Sequence, residues 1–345
     1  MNTSHFMKLR INNTTPKCQI NIMITQTPDT YSDRSKILSI VVAVHNLEKL
    51  ILKCINSIKN TLTDLEPSIY EVLLIDDGSS DSSPSILKQF SAENDSFIYI
   101  RKEFKNLGKV KKYAVERSKG EYITFVDGDD FLSNFSMKDI IDFLFEKKPD
   151  MLISPLQDVR KPEDIIHKSN FISPILFDRN TAIKEYLIHK KFQAHSCGKF
   201  FRRDLFDGSN FPEVSCYEDA LSFSSVLAKC DRIYYTRMKY YNYIKREGSL
   251  SESINKDRIN VMAEVVFIND KVFGEKFRNL TACHAIEVIY KYHNSLSRDY
   301  FSSLMNLINS ISTFSFMLDN RVRFSFKVKY YKVMMNKKSL IINDV

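Results

Sequence analysis

Five short, densely apolar runs, separated by segments of helical spacing, constrain this chain more than any other feature of it. Residues 37–44 are a β-branched run of strand length, apolar enough to be buried on both faces. Leu47, Leu50, Ile51, Cys54, Ile55 and Ile58 then recur at the spacing of one helix face, with Asn46 placed as a candidate cap. Residues 71–75 read as a second buried strand. Ser83-Pro84 opens a short helix ending near Phe90, because proline is tolerated in a first helical turn whose N–H groups lack partners anyway. Residues 97–101 are a third strand, residues 110–118 a helix stopped by Gly120, and residues 122–126 a fourth strand. Ser136 caps a further helix with Ile140, Ile141 and Leu144 on one face, ended by Lys147-Lys148-Pro149, and residues 151–154 are the fifth strand. Strands alternating with helices imply an α/β fold, with a mostly parallel central sheet flanked by helices.

Ligands of such sheets bind at the carboxyl ends of the strands. Three polar clusters stand there: His45-Asn46 after the first strand, Asp76-Asp77-Gly78 after the second, and Asp127-Gly128-Asp129-Asp130 after the fourth. They are expected to meet in space. Paired carboxylates on a tight turn are hard oxygen ligands suited to Mn²⁺ or Mg²⁺, ions that also take phosphate oxygens from a substrate. Gly128 lets the turn tighten and a phosphate approach the backbone. Such a metal would stabilise a departing diphosphate. By itself the turn is equally a solvated acidic loop; its place after a buried strand, facing two other clusters, favours a site. Asp76-Asp77-Gly78-Ser79-Ser80-Asp81 reads as a turn and helix cap, or as a partner for the imide N–H of a uracil or the hydroxyls of a ribose. Lys105, Lys109, Lys111 and Lys112, near Gly108, either hold phosphates or form the wet face of a helix. Glu218-Asp219 opens a helix carrying Leu221, Phe223, Val226 and Leu227. Acids there complement the helix dipole, and a carboxylate so placed also stays ionised, as a general base for an acceptor hydroxyl must.

The 345 residues suffice for one large domain, or for one domain with a helical appendage. No apolar run reaches the roughly 18 residues of a membrane-spanning helix, and the polar N-terminus lacks signal-peptide order. Six scattered cysteines without a C-x-x-C pair argue against a disulfide framework or a zinc site and fit a reducing cytoplasm. The net charge of +8 suits nucleic acid, anionic lipid or phosphorylated substrates, or serves solubility alone. Residues 1–35, polar and broken by prolines, read as a flexible extension with one short strand at 20–24. After residue 255 the spacing turns helical, through Ile259, Met262 and Val266, then Leu280, Cys283 and Ile289, then Leu304, Leu307 and Ile308. Arg321, Arg323, Lys327, Lys329 and Lys332 follow, interleaved with Val322, Phe324, Phe326, Val328 and Tyr330. This alternation has a period of two, while Val322, Phe326, Tyr330 and Val333 also suit a helix. A basic, aromatic element of this kind rests either on the anionic cytoplasmic face of a membrane or on protein.

Taken in order, these segments resemble glycosyltransferase family 2, a group of inverting enzymes with the Rossmann-like GT-A fold. Val41-Val42-Ala43-Val44-His45-Asn46 resembles the opening strand and turn, with Ala43 and His45 in place of the usual proline and tyrosine. Leu74 to Asp81 is similar to the second motif, and Gly120 to Asp130 to the approach to the D-x-D metal motif. Val110-Lys111-Lys112-Tyr113-Ala114 stands where the family has A-R-N-x-G. Gly198-Lys199-Phe200-Phe201-Arg202-Arg203 and Phe211-Pro212 precede Glu218-Asp219 as they do in the family, and Tyr240-Tyr241-Asn242-Tyr243 with Arg246-Glu247-Gly248-Ser249 resembles the closing motif. The resemblance spans roughly residues 36–252, leaving 253–345 as a helical C-terminal region. It implies that Val44, His45, Asn46, Asp76 and Asp77 bind the nucleoside, with Asp77 reading the base. Lys109, Lys112, Gly128, Arg246 and Ser249 would face the diphosphate, Asp127 would contact nucleotide and metal, Asp129 would hold Mn²⁺ or Mg²⁺, and Asp219 would be the catalytic base. The implied reaction moves a sugar from a nucleotide-sugar, a UDP-sugar in the first instance, to a hydroxyl of a glycan or lipid-linked acceptor. The anomeric carbon inverts once, in the synthesis of bacterial capsule, lipopolysaccharide or another surface glycan. The implied setting is cytoplasmic, with peripheral contact at the inner face of the membrane and no nucleic acid partner. Two alternatives stand beside this reading: a nucleotide-sugar-binding module without turnover, and a nucleotidyl-transferring polymerase. The parallel order of strands before the turn argues against the second, because polymerase palms carry their acidic turn in an antiparallel hairpin.

Overall fold

Four of the expected strands lie side by side and parallel in the computed structural model, which describes residues 36–207, 211–214, 216–246 and 255–335. They are β1 (Leu38–Val44), β2 (Tyr70–Asp77), β3 (Phe97–Lys102) and β4 (Tyr122–Asp127), in the spatial order β3-β2-β1-β4. Every residue of β2 is buried, as its unbroken apolar run requires when helices cover both faces. β2 runs two residues further than expected, so Asp76 and Asp77 belong to the strand itself.

Beyond β4 the sheet changes character. It continues through β9 (Lys199–Arg202), β6 (Met151–Ile153), β10 (Ile233–Tyr235) and β8 (Ile175–Phe177), giving eight strands in the order β3-β2-β1-β4-β9-β6-β10-β8. β9 is antiparallel to both β4 and β6, and β8 is an antiparallel edge on β10. The sheet is therefore mixed, with one inverted strand wedged beside the acidic turn. A second sheet of β5 (Phe131–Leu132), β11 (Tyr241–Ile244) and β7 (Gln157–Val159), in the order β5-β11-β7, stands at the exit of that turn.

The helices are α1 (Ile51–Thr61), α2 (Ser83–Glu93), α3 (Leu107–Arg117), α4 (Met137–Lys147), α5 (Arg179–Leu187) and α6 (Glu218–Lys229). α1 buries Ile51, Cys54, Ile55 and Ile58, the expected face. It starts at Ile51, however, so Asn46 is not its cap. Asn46 instead takes a left-handed φ of 53°, which asparagine tolerates better than most residues, and its side chain accepts from the Ser80 N–H. α3 begins a turn earlier than residue 110, because Asn106 caps it by accepting from the Lys109 N–H at 3.0 Å. α2 runs past Phe90 to Glu93.

Five more helices follow: α7 (Lys256–Phe273), α8 (Arg278–Tyr292), α9 (Arg298–Ser310), α10 (Thr313–Leu318) and α11 (Phe324–Met335). α7 packs on α6, α8 on α7 and α5, and α9 and α11 on α8. Their apolar faces join those of α5 and α6 in one continuous core. The basic, aromatic stretch after residue 320 is a helix rather than a strand, with Tyr330 and Val333 buried. No helix among the described residues is long and apolar enough to cross a membrane. The extension at 1–35, with the strand expected at 20–24, lies outside the described residues.

Candidate active site

The strand register brings the three polar clusters level. Val44 stands opposite Asp76 of β2, and Ala43 opposite Asp127 of β4. The loops after β1 and β2 are laced together. The Asn46 N–H donates to Ser79 Oγ at 2.9 Å, and the Ser80 N–H donates back to Asn46 Oδ1 at 2.8 Å. Glu48 and Asp81 exchange the same kind of bond: the Glu48 N–H donates to Asp81 Oδ2, and the Ser82 N–H to Glu48 Oε2, both at 2.9 Å. His45 Nδ1 lies 2.8 Å from the Asp77 carbonyl, a bond that puts the ring proton on that nitrogen. His45 and Asn46 stay exposed at the rim, while Val44 is buried beneath them.

Asp76 and Asp77 both hold protein. Asp76 is fully buried; its Oδ2 accepts from Arg101 at 2.8 Å and from the Tyr99 hydroxyl at 3.1 Å, and its Oδ1 from the Ser79 N–H. Asp77 Oδ1 accepts the N–H groups of Phe104 and Lys105, and Oδ2 that of Asn106 at 3.0 Å. Asp77 thereby shapes the loop that leads into α3. Its Oδ2 keeps a second lone pair for a further N–H.

The acidic turn carries β4 into β5 of the other sheet. It is not the antiparallel hairpin of a polymerase palm. Gly128 is demanded by packing: a Cβ there would stand 2.9 Å from the Ala43 carbonyl oxygen and 2.8 Å from Leu47. Asp130 is buried and structural, its Oδ2 accepting from the Tyr241 hydroxyl at 2.8 Å and its Oδ1 from the Ile244 N–H at 2.7 Å. The same Tyr241 oxygen accepts the Asp127 N–H at 3.0 Å, so β11 clamps the turn at both ends. Burial, reinforced by the neighbouring acids, pushes Asp127 up to about 7 and Asp130 up to about 8. Asp127 and Asp129 are only partly buried, and they are the oxygens left for a ligand.

A lysine closes the acidic centre. Lys111 projects from α3 and is almost completely buried, with Nζ 2.7 Å from Asp219 Oδ1 and 2.9 Å from Glu218 Oε1. Asp127 is close enough to add to its charge balance. Asp219 Oδ2 accepts from the Ser196 N–H at 3.0 Å and the Ser196 hydroxyl at 3.2 Å. Burial alone would raise the Asp219 carboxyl, but Lys111 and the Ser196 N–H outweigh it and hold it below the usual range. Burial alone would likewise lower Lys111, and Asp219 and Glu218 drive it well above its ordinary value. Ser196 is placed by the start of β9. Gly198 takes a φ of +70°, and a Cβ there would meet Leu156 at 2.5 Å. Lys199, brought down to about 8 by burial, donates to the His195 carbonyl.

Lys111, one of the four lysines near Gly108, is on no wet helix face but buried against Asp219 and Glu218, and the correspondence of Val110-Lys111-Lys112 with the family's A-R-N is the signal that points to it; Ser196 carries no sequence signal. The neighbours of Lys111 face elsewhere. Lys109 pairs with Glu213 at 2.9 Å, and Lys112 is half-buried on another side of α3. Arg246, beyond the end of β11, donates to Asp129 Oδ2 at 2.6 Å. Ser249 lies outside the described residues. No group of three or more acidic, histidine or cysteine side chains among the described residues could cage a metal by itself. Asp127 and Asp129 fit the other arrangement, in which one or two carboxylates share a hard cation with substrate phosphates. In this structure Arg246 is the cation paired with Asp129.

Residues 39–208 match the family model described as glycosyl transferase family 2. Among curated proteins, the chain is 26% identical to glycosyltransferase GlyA of Streptococcus pneumoniae over 222 residues, which is 62% of this chain and 31% of that protein. It is 32% identical to a poly(ribitol-phosphate) beta-glucosyltransferase of Bacillus spizizenii over 124 residues, 35% of this chain and 19% of that protein. The chain thus spans about a third or less of the length of these relatives. Among solved structures, residues 1–349 of S. aureus TarS in complex with UDP-GlcNAc superpose with a TM-score of 0.61 at 19% identity, covering 88% of this chain and 92% of the other. That likeness gives the fold, GT-A.

Proposed function

The chain carries a family 2 glycosyltransferase domain, and from that premise we propose that it transfers a sugar from a UDP-sugar to a hydroxyl of a bacterial surface glycan or lipid-linked precursor, with inversion at the anomeric carbon. One observation supports the reading: Lys111 is buried in an ion pair with Asp219 and also feels the charge of Asp127 on the acidic turn, as expected where a base stands beside a diphosphate site. Asp219 takes the proton from the acceptor hydroxyl. The freed oxygen attacks the anomeric carbon from the face opposite the diphosphate, and the sugar–phosphate bond breaks as the new bond forms. UDP leaves with the electron pair. Asp129, with Asp127, would hold Mn²⁺ or Mg²⁺ together with the diphosphate oxygens, and such an ion supplies charge neutralisation to the leaving group. Arg246, which donates to Asp129, would move to a phosphate when the donor binds, with Ser249 following it in sequence. Asp77 and the rim residues His45 and Asn46, over Val44, form the nucleoside end. Lys109, paired with Glu213 in this structure, and Lys112 lie on the same helix as Lys111, and either would have to leave its present surroundings to meet the diphosphate. Relatives named for poly(ribitol-phosphate) favour a polyol-phosphate or similar anionic glycan as acceptor, beside capsule and lipopolysaccharide. The enzyme then works in the cytoplasm, where nucleotide-sugars are made.

The test is UDP release from a panel of UDP-sugars with Mn²⁺ and a surface-glycan acceptor, alongside thermal shift. The parent chain is expected to be stabilised by a UDP-sugar and to release UDP. Asp219→Asn should keep the stabilisation and lose on the order of 10²–10⁴-fold in turnover. Unchanged turnover in Asp219→Asn would sink the assignment of the base. Donor binding by the parent without turnover on any acceptor would favour a binding module.

A further inference from the structure

A helix on the surface of a protein normally turns its apolar side inward and its polar side to water. α11 has an apolar side in each direction. Tyr330 and Val333 are buried against the protein, with the Tyr330 hydroxyl 2.7 Å from Thr313 Oγ1 and its ring 5.0 Å from Phe316. Facing outward are Phe324 at 79% exposure, Val328 at 39%, Tyr331 at 60% and Met335 at 65%. They recur at i, i+4, i+7 and i+11. At 100° per residue they fall within roughly 60° of one another, on the side opposite Tyr330 and Val333. α10 repeats the arrangement: Phe316 is buried, while Phe314 and Leu318 are 76% and 66% exposed. Scattered exposed apolar residues are ordinary, but a continuous stripe along a helix marks a surface that something covers.

The charges identify what covers it. Lys327 and Lys332 lie roughly 40° beyond either edge of the stripe, and neither is in an ion pair with a described residue. α11 contains three lysines and no acid; only Lys329 is neutralised, by Glu287. A second copy seated two-fold on this stripe would set one row of lysines against another. An anionic lipid surface meets both features at once, taking the stripe into the boundary of the acyl chains and the lysines among the headgroups. We propose that the outward face of α11, extended by Phe314 and Leu318 of α10, docks the protein on an anionic membrane with Phe324, Val328, Tyr331 and Met335 inserted. This deepens the reading of a lipid-linked or membrane-borne acceptor, but it rests on geometry remote from the acidic turn.

The experiment is co-sedimentation of the full chain with vesicles of phosphatidylcholine alone and of phosphatidylcholine with phosphatidylglycerol. Binding is expected to the anionic vesicles only and should weaken as salt is raised. The double substitutions Phe324→Ser with Tyr331→Ser, and Lys327→Glu with Lys332→Glu, should each weaken binding about tenfold or more. Because all four residues are exposed or half-buried, thermal stability and UDP release with a soluble acceptor should be unchanged. Absence of binding to anionic vesicles overturns the inference, as does parent-like binding by both double variants. A parent that light scattering shows to be a dimer, and that the serine variant makes monomeric, overturns it in favour of a second copy. Vesicle binding without any UDP release would leave this face assigned and defeat the transferase reading instead; the reverse result would do the opposite.

Discussion

At the scale of single residues, the feature with the most leverage is the burial of Lys111 against two carboxylates. Removing one partner from a buried charge network leaves the others uncompensated, which costs about 3–5 kcal/mol, far more than an exposed pair is worth. Lys111→Met keeps the alkyl stem and deletes the ammonium, so a stability loss of that order is expected in chemical denaturation. Its pH signature follows from the shifts. Asp219 titrates below its ordinary 3.8, so its contribution to stability is present above about that pH and is lost as pH falls through the lower folded value. Lys111 titrates above its ordinary 10.5, so its contribution is present below that pH and is lost as pH rises through the higher folded value. Between those limits neither Asp219 nor Lys111 changes charge. Without Lys111, burial is the dominant influence on Asp219 and pushes it upward. The acid limb of kcat/KM should then move toward neutral pH in Lys111→Met, whereas Lys111→Arg should leave it where it was. A purely structural lysine would lower stability in both and move the limb in neither.

At the scale of elements, the acidic turn is only as rigid as its clamp on β11. Tyr241 donates to Asp130 and accepts from the Asp127 N–H, which ties the end of β4 to a strand more than a hundred residues later. Tyr241→Phe leaves buried Asp130 with the Ile244 N–H alone among these partners and orphans the Asp127 N–H. A loss of about 1–3 kcal/mol is expected in thermal unfolding, with a weaker Mn²⁺-dependent stabilisation by donor. Normal donor affinity in Tyr241→Phe would mean that the turn holds its shape without the clamp. This clamp also shows what was legible in the sequence. Runs such as residues 71–75 announced buried strands because both faces are covered, so apolar content alone was diagnostic. β9 gave no such sign: it is four residues long, and its neighbours β4 and β6 come from far upstream. β8 hides for the opposite reason, being an edge with Ile175 and Leu176 exposed. The convergence of strand ends was legible because parallel topology forces it. That Lys111, rather than Lys109 or Lys112, turns toward Asp219 was not, because a run of lysines on a helix does not say which of them a distant loop will meet.

At the scale of the molecule, the candidate base depends on helices that follow it in the sequence, beginning with α7 at Lys256. Asp219 opens α6, and α6 rests on α7: Asn269 of α7, almost wholly buried, accepts the Ser224 hydroxyl of α6 and the Tyr186 hydroxyl of α5. Tyr186 in turn packs between Phe223 and Phe273, with ring centroids 5.0 and 6.0 Å away. Ile259, Val266, Phe273, Ile286 and Ile289 are all buried in the same core. At about 1.5–3 kcal/mol for each such side chain, their contribution is on the order of 10 kcal/mol, as large as the whole net stability of a typical domain. The resemblance to family 2 stops near residue 252, yet a chain ending there would expose the inner faces of α5 and α6 together. Such a shortened chain is expected to be aggregated or to lack a cooperative thermal transition. A milder change reads the same dependence without removing anything. Asn269→Ala takes away the acceptor of two buried hydroxyls and should cost about 1–3 kcal/mol, lowering thermal stability while leaving the pH dependence of Asp219 in place. A soluble, cooperatively folding chain of residues 36–252 that still binds donor would show that α5 and α6 are held from the sheet side alone, and that the helices after residue 255 are an accessory rather than half of the core.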